Sequence, residues 1–318
     1  KRVVFPEGEE EKILQAAHIA VDEGIAIPIL IGRRAEIEQR AEKLVLSLEG
    51  IQIVERGDLP KVAEYTDRLV ARRQRKGLTR MTAERLVVRS RTIYGMMMVA
   101  AGDADGLLSG LTANYIETIR PALQIIGVRG HVRRAAGLYI VITQRDVKFL
   151  ADTTINIDPD AETMAETAIL AAELVHELGI EPRVAMLSFS NFGDAPHASS
   201  DKVARATAIV KARRPDIMVD GEMQADVALS PELRTPYPFS DLKGAANVLI
   251  FPNLDAGNIA YKLLAATDGG EVIGPIVLGI KRPISALQQG ASVSTIVHMT
   301  AITAARAIRL ERLGLEDI

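Results

Sequence analysis

The residues that most often carry chemistry are either missing from this sequence or spaced without a pattern. It has no cysteine, which removes thiolate nucleophiles, disulfides and Cys-based zinc sites together. Its histidines, His18, His131, His176, His197 and His298, share no ligand spacing, so each reads as structural. A Gly-x-Gly-x-x-Gly fingerprint, a P-loop, a His-Glu-x-x-His helix and a Gly-x-Ser-x-Gly elbow are all lacking. Dinucleotide oxidation and serine hydrolysis therefore lose support.

What remains are polar clusters that follow apolar runs: Ser188 to Gly193, Asp220-Gly221-Glu222-Met223-Gln224, and Phe251 to Asn258. Each also has a plainer reading, because Gly and Asn serve turns and Asp255 suits a helix cap. The acidic stretch Asp158-Pro159-Asp160-Ala161-Glu162 is better read as a cap at Asp160 than as a metal site. Arg73 and Arg120 bring guanidinium forks suited to the anionic oxygens of a phosphorylated or CoA-type ligand. Arg73 sits in the basic run Arg72-Arg73-Gln74-Arg75-Lys76-Gly77, whose plainer reading is a solvated face, and Arg72 and Arg75 compete with it.

Apolar runs alternate with helical patterns along nearly the whole chain, which predicts an α/β protein with mostly parallel sheets. The opening reads strand, helix, strand, helix, strand, from Val3–Phe5 through Glu10–Asp22, Ile25–Ile31 and Arg34–Lys43 to Ile51–Val54. Further helices are expected at 81–88, 116–127, 162–178, 200–212, 255–265 and 292–310. Strands are expected at 139–143, 153–157, 184–188, 217–219, 248–251 and 276–279, with a strand near 104–110 leading into a small-residue loop. At 318 residues the chain is long enough for two layered lobes, the second opening near Tyr139, where the composition becomes strongly strand-forming.

No apolar run reaches membrane length, and a net charge of −3 gives no field for a polyanion, so neither membrane nor nucleic acid is an expected partner. The tyrosines and phenylalanines do not interleave with a basic stripe, and a cytoplasmic home is the default. The chain opens with Lys1, which suits a piece of a longer protein.

In this order, Phe5-Pro6-Glu7-Gly8-Glu9-Glu10, Thr118-Ile119-Arg120-Pro121-Ala122-Leu123-Gln124, Asp220 to Gln224, Phe251 to Asn258 and Gly274-Pro275-Ile276 resemble landmarks of the phosphate acetyl/butyryltransferase family over essentially the whole chain. The resemblance implies the family's two-lobe fold, within the isocitrate/isopropylmalate dehydrogenase-like superfamily. It also implies a first lobe completed by the C-terminal helix, so that the division falls as 1–137 plus 283–318 and 138–282, a homodimer or larger homo-oligomer, and acetyl-CoA in the cleft between lobes. Active members share a segment reading Pro-Val-Asn-Asp-Leu-Ser-Arg-Gly with an aspartate shortly after. Here the segment is Pro283-Ile284-Ser285-Ala286-Leu287-Gln288-Gln289-Gly290, with Thr295 near the aspartate's position.

That altered segment, with Ser188 to Gly193, resembles instead the C-terminal domain of multidomain NADP-dependent malic enzymes. This implies a regulatory, non-catalytic domain with acetyl-CoA as its ligand and the malic and NADP-binding domains of a parent chain as partners. NADP and a divalent metal would be used by those other domains, with none bound here. The ligand-binding residues expected from resemblance and position are Arg73, Thr112, Asn114, Tyr115, Arg120, Asn191, Asn253, Asn258, Lys262, Gln288 and Gln289, with no catalytic residue. The alternatives are an active phosphate acetyltransferase and a purely structural oligomerisation module, the latter suggested by Val293, Ile296, Val297, Ile302 and Ala305 on the closing helix.

Overall fold

The computed structural model describes residues 1–143, 146–268 and 271–314. The chain divides into two compact units, Lys1–Arg129 with Ile280–Ile318, and Gly130–Gly279. The division expected at 137/138 would have cut a strand that pairs wholly within the second unit, so the seam falls ahead of it, at Arg129/Gly130. On the return the seam is at Gly279/Ile280, where the expectation was 282/283.

The first unit alternates strands and helices: β1 (Arg2–Phe5), α1 (Glu11–Asp22), β2 (Ile27–Ile31), α2 (Arg34–Lys43), β3 (Gln52–Val54), α3 (Leu59–Arg73), α4 (Arg80–Arg89), α5 (Arg91–Ala101), β4 (Gly106–Ser109) and α6 (Tyr115–Pro121). Its strands run parallel in the order β3-β2-β1-β4, and the chain returns after the second unit to add one more strand beside β4. β1 is fully buried from Val3 to Phe5, which is why it lacks the alternation of a half-exposed strand. The expected helix 116–127 is shorter: α6 ends at Pro121, a wide π-turn occupies Ala122–Ile126, and Gly127 stops it.

The second unit comprises β5 (Ala136–Ile142), β6 (Val147–Ala151), α7 (Ala161–Glu177), β7 (Arg183–Leu187), α8 (Ala198–Arg213), β8 (Met218–Met223), α9 (Ala225–Leu229), β9 (Val248–Ile250), α10 (Leu254–Asp268) and β10 (Glu271–Leu278). The strand order is β10-β5-β6-β9-β7-β8, antiparallel from β10 to β6 and parallel from there on. Asp160 caps α7, its carboxylate accepting from the Thr163 amide at 2.7 Å, while Asp158 pairs with Lys202 at 2.6 Å. The first unit is finished by β11 (Ile284–Ala286) and α11 (Val293–Arg312), which packs on α1 and β4. Ile296, Val297 and Ile302 are buried there, so they serve this unit's own core, and Ala305 faces solvent. No helix among the described residues is long and apolar enough to cross a membrane.

The strand expected at 153–157 does not form. The buried Asp152 carboxylate gathers the segment, accepting from the amides of Thr154 (2.9 Å), Ile155 (3.1 Å) and Asn156 (2.9 Å), the Asn156 side chain (2.6 Å) and the Gly137 amide (3.0 Å). Amides turned toward one carboxylate cannot also form a ladder. Asp152→Ala would strand several buried donors, so it is expected to lower unfolding free energy by roughly 3 kcal/mol in urea titration.

Candidate functional site

In the first unit the site is made by loops at the carboxyl ends of β1, β4 and β11, where α/β proteins place ligands. Glu7, in the turn after β1, fixes the loop after β4. One carboxylate oxygen accepts from the Gly110 amide (2.9 Å) and Ser109 Oγ (3.3 Å), the other from the Thr112 amide (2.7 Å) and Oγ1 (2.9 Å). Gly110 must be glycine: its φ is +122°, and a Cβ there would lie 2.6 Å from the Leu287 carbonyl oxygen. The Leu287 amide in turn donates to the Ser109 carbonyl at 2.8 Å, tying the loop after β4 to the loop after β11.

Asn114 is thereby brought beside Gln289, whose Nε2 lies 3.5 Å from Asn114 Oδ1, with Thr112 and Tyr115 on the same loop as Asn114 and Gln288 next to Gln289 in the chain. Lys12 on α1 holds the same loop by donating to the carbonyls of Gly290 (3.3 Å) and Ala291 (3.0 Å). Thr295 is committed elsewhere, with Ser292: its amide donates to Ser292 Oγ at 3.1 Å and the two hydroxyls lie 2.8 Å apart, forming the cap of α11. Of the cationic candidates, Arg120 is exposed on α6, and Arg73, the last residue of α3, lines a cavity of about 160 Å³. Neither makes an ion pair with another described residue.

Glu9 reinforces the same corner. It accepts from the Arg33 amide at 2.8 Å and meets the Arg91 guanidinium with both oxygens at 2.8 Å. Burial by itself would raise the Glu9 carboxyl pKa, but the Arg33 amide and the Arg91 side chain overcome it and hold the group below its ordinary value. Glu7, Glu9 and Lys12 were not singled out for site roles from the sequence, although two of them stand in the quoted Phe5–Glu10 landmark.

In the second unit, Asn191, Asn253, Asn258 and Lys262 follow the carboxyl ends of β7 and β9. Much of their hydrogen-bonding capacity is already used. Asn191 is buried, and its Oδ1 accepts from the Gln224 amide at 2.8 Å. Asn253 Oδ1 caps α10 through the Ala256 amide at 2.9 Å, and Asn258 Nδ2 reaches the Thr153 carbonyl at 3.3 Å. Lys262 is exposed, with its ammonium 5.3 Å from the centre of the Tyr261 ring. The Asp220–Gln224 landmark is likewise structural. Asp220 accepts from Lys211 (2.8 Å), Ser240 Oγ (2.7 Å) and the Asp241 amide (2.9 Å), while Glu222 accepts from Ser190 Oγ (2.9 Å) and the Gly193 amide (2.6 Å).

Each unit is of the α/β class, with polar loops at the carboxyl ends of its parallel strands. The chain belongs to the phosphate acetyl/butaryl transferase family, whose model matches residues 1–304. It is 39% identical over 312 residues to an Escherichia coli NADP-dependent malic enzyme, covering 96% of this chain and 41% of that protein. It is 37% identical over 308 residues to a Bacillus subtilis phosphate acetyltransferase, covering 96% of this chain and 95% of that one. A phosphotransacetylase crystal structure from Streptococcus pyogenes superposes with a TM-score of 0.91 at 35% identity, covering 97% of this chain and 94% of the other. The chain thus spans about two-fifths of the length of the malic enzyme and nearly all of these two transferases.

Glu7→Gln is expected to raise amide hydrogen exchange at Gly110 and Thr112 about tenfold, since it removes a charged acceptor from both. Glu9 supplies a pH test. Because its folded pKa is depressed, its contribution is full above the unfolded value near 4.5 and is lost as pH falls through the folded one. Urea midpoints of wild type and Glu9→Gln should therefore differ at pH 7 and draw together in strong acid.

Proposed function

We propose that this chain binds acetyl-CoA as a regulatory ligand without transferring its acetyl group, as part of an NADP-dependent malic enzyme that decarboxylates malate oxidatively to pyruvate. One observation carries the reading: Gln288, Gln289 and Thr295 are neutral, and the Thr295 hydroxyl is engaged in a helix cap. Acetyl transfer from acetyl phosphate requires a base to take the thiol proton as sulfur attacks the carbonyl carbon. It also requires cationic groups for the phosphate that leaves as the C–O bond breaks. Two amides and a capping hydroxyl supply neither.

Ligand contact on this reading falls to Thr112, Asn114, Tyr115, Gln288 and Gln289, with Arg73 and Arg120 for anionic groups. Asn191, Asn253, Asn258 and Lys262 supply the second unit's polar edge. NADP and a divalent metal would be used by regions of the parent protein outside this sequence. A cytoplasmic homo-oligomer is the expected form. Regulation further requires that acetyl-CoA bind two conformations unequally.

A second reading, an active phosphate acetyltransferase joining CoA and acetyl phosphate, has its own support. The match runs over nearly the whole length of the Bacillus subtilis and Streptococcus pyogenes transferases but over only about two-fifths of the malic enzyme, and on coverage this favours transferase chemistry more strongly than regulation. The two readings separate in one experiment: the purified chain is given CoA and acetyl phosphate while thioester is followed, and acetyl-CoA is titrated calorimetrically into the same sample. Binding without turnover is expected; turnover at an enzyme-like rate establishes the transferase instead. Arg120→Ala should weaken acetyl-CoA binding about tenfold or more, and unchanged affinity would remove Arg120 from the site.

A further inference from the structure

The cavity beside Arg73 lies wholly within the first unit, and its lining is chemically one-sided. Leu69 and Arg73 come from α3, Lys76, Gly77 and Leu78 from the turn that follows, Leu86 from α4, Ile93 from α5, and Pro121, Gln124 and Ile125 from the end of α6 and the π-turn. Five aliphatic side chains and a proline form the walls, the only charges are cationic, and no carboxylate lines it. Arg73 is half-buried and Lys76 exposed, and neither is paired with an acidic side chain among the described residues. At about 160 Å³ the space compares with the roughly 150 Å³ engineered cavity that takes benzene, so it admits a body of about six heavy atoms.

We propose that this cavity is a binding site for a small monocarboxylate with a branched or cyclic apolar body, the carboxylate meeting Arg73 and Lys76 and the body resting on Leu69, Leu78, Leu86, Ile93 and Ile125. A guanidinium with no competing carboxylate in the lining holds an anionic head by charge-assisted hydrogen bonds. Aliphatic walls favour an apolar body over a second charge, because a dianion pressed against them would lose water without gaining donors. The exposed Gln124 amide is one further donor for the head group. The site does not depend on acetyl-CoA binding: Leu86, Ile93 and Lys76 belong to no residue set assigned to that ligand, and only Arg73 is shared.

The test uses isovalerate as the probe, titrated calorimetrically into the intact chain, with 3-methylbutan-1-ol as the uncharged analogue, acetate as the short one and inorganic phosphate as the apolar-free anion. Isovalerate should bind with a Kd of roughly 1 mM or tighter, and the alcohol, acetate and phosphate at least tenfold more weakly. Lys76→Gln, a surface change that leaves the fold intact, should weaken isovalerate severalfold. Leu86→Trp should abolish binding by filling the cavity, with circular dichroism and acetyl-CoA titration showing that the variant is folded. Phosphate binding as tightly as isovalerate, isovalerate affinity unchanged in Lys76→Gln or in a folded Leu86→Trp, or no isovalerate binding would each overturn the proposal. Since acetyl-CoA affinity is read in the same samples, failure here is distinguishable from failure of the regulatory reading.

Discussion

A buried or half-buried carboxylate that collects backbone amides is the interaction on which both units rely. Glu7 does this for the loop after β4, holding the amides of Gly110 and Thr112, so the polar residues that follow are presented in one arrangement. Loop amides at the end of a parallel strand have no ladder partner, and without an acceptor they would turn to water and carry the loop with them. A carboxylate satisfies several at once, with the added strength of charge. Asp152 performs the same task in the second unit, and Asp220 and Glu222 hold the loops around β7 and β8.

This arrangement gives the acidic landmarks a structural task that their sequence alone does not reveal. A glutamate or aspartate after a strand is equally suited to taking a proton and to holding a turn. Glu222 is fixed by Ser190 Oγ and the Gly193 amide, and Glu7 by the amides and hydroxyls around it. With these groups engaged in structure, the loop after β11 presents two neutral amides, Gln288 and Gln289, and is held from α1 by Lys12. The asparagines of the second unit show the same division of labour, each with one end of its amide spent on the backbone.

Most of the alternating architecture was legible because strands such as β1 and β9 are short, apolar and bounded by turn residues. α1 and α7 show the helical period with caps or stops where they belong. What escaped did so for physical reasons. α5 buries Tyr94 through Val99 without interruption, so it has no amphipathic period to read. α3 carries signals, with Asp58 as cap, Pro60 in the first turn and Val62, Tyr65 and Leu69 on one face, but the basic run at its end has the pattern of a solvated segment. The segment 153–157 has β-branched composition and still forms no strand, because Asp152 competes for its amides. As for the site, Thr112 to Tyr115 and Gln288-Gln289 were legible as one group only through resemblance, since nothing in local spacing links residues so far apart.

The return of the chain to complete its first unit bears on synthesis. Residues 130–279 form a contiguous unit that has its whole sequence once Gly279 has left the ribosome, whereas β4 must wait for β11 across that entire interval. Until then one edge of β4 is unpaired, and the surfaces of α1 and β4 that α11 will cover are open to water. The later-numbered unit is therefore the first to have its complete sequence available, while the first unit still lacks β11 and α11. The length of that interval is set by translation speed and not by the stability of the finished fold, and apolar surface left open in it is what makes partly folded chains prone to aggregate.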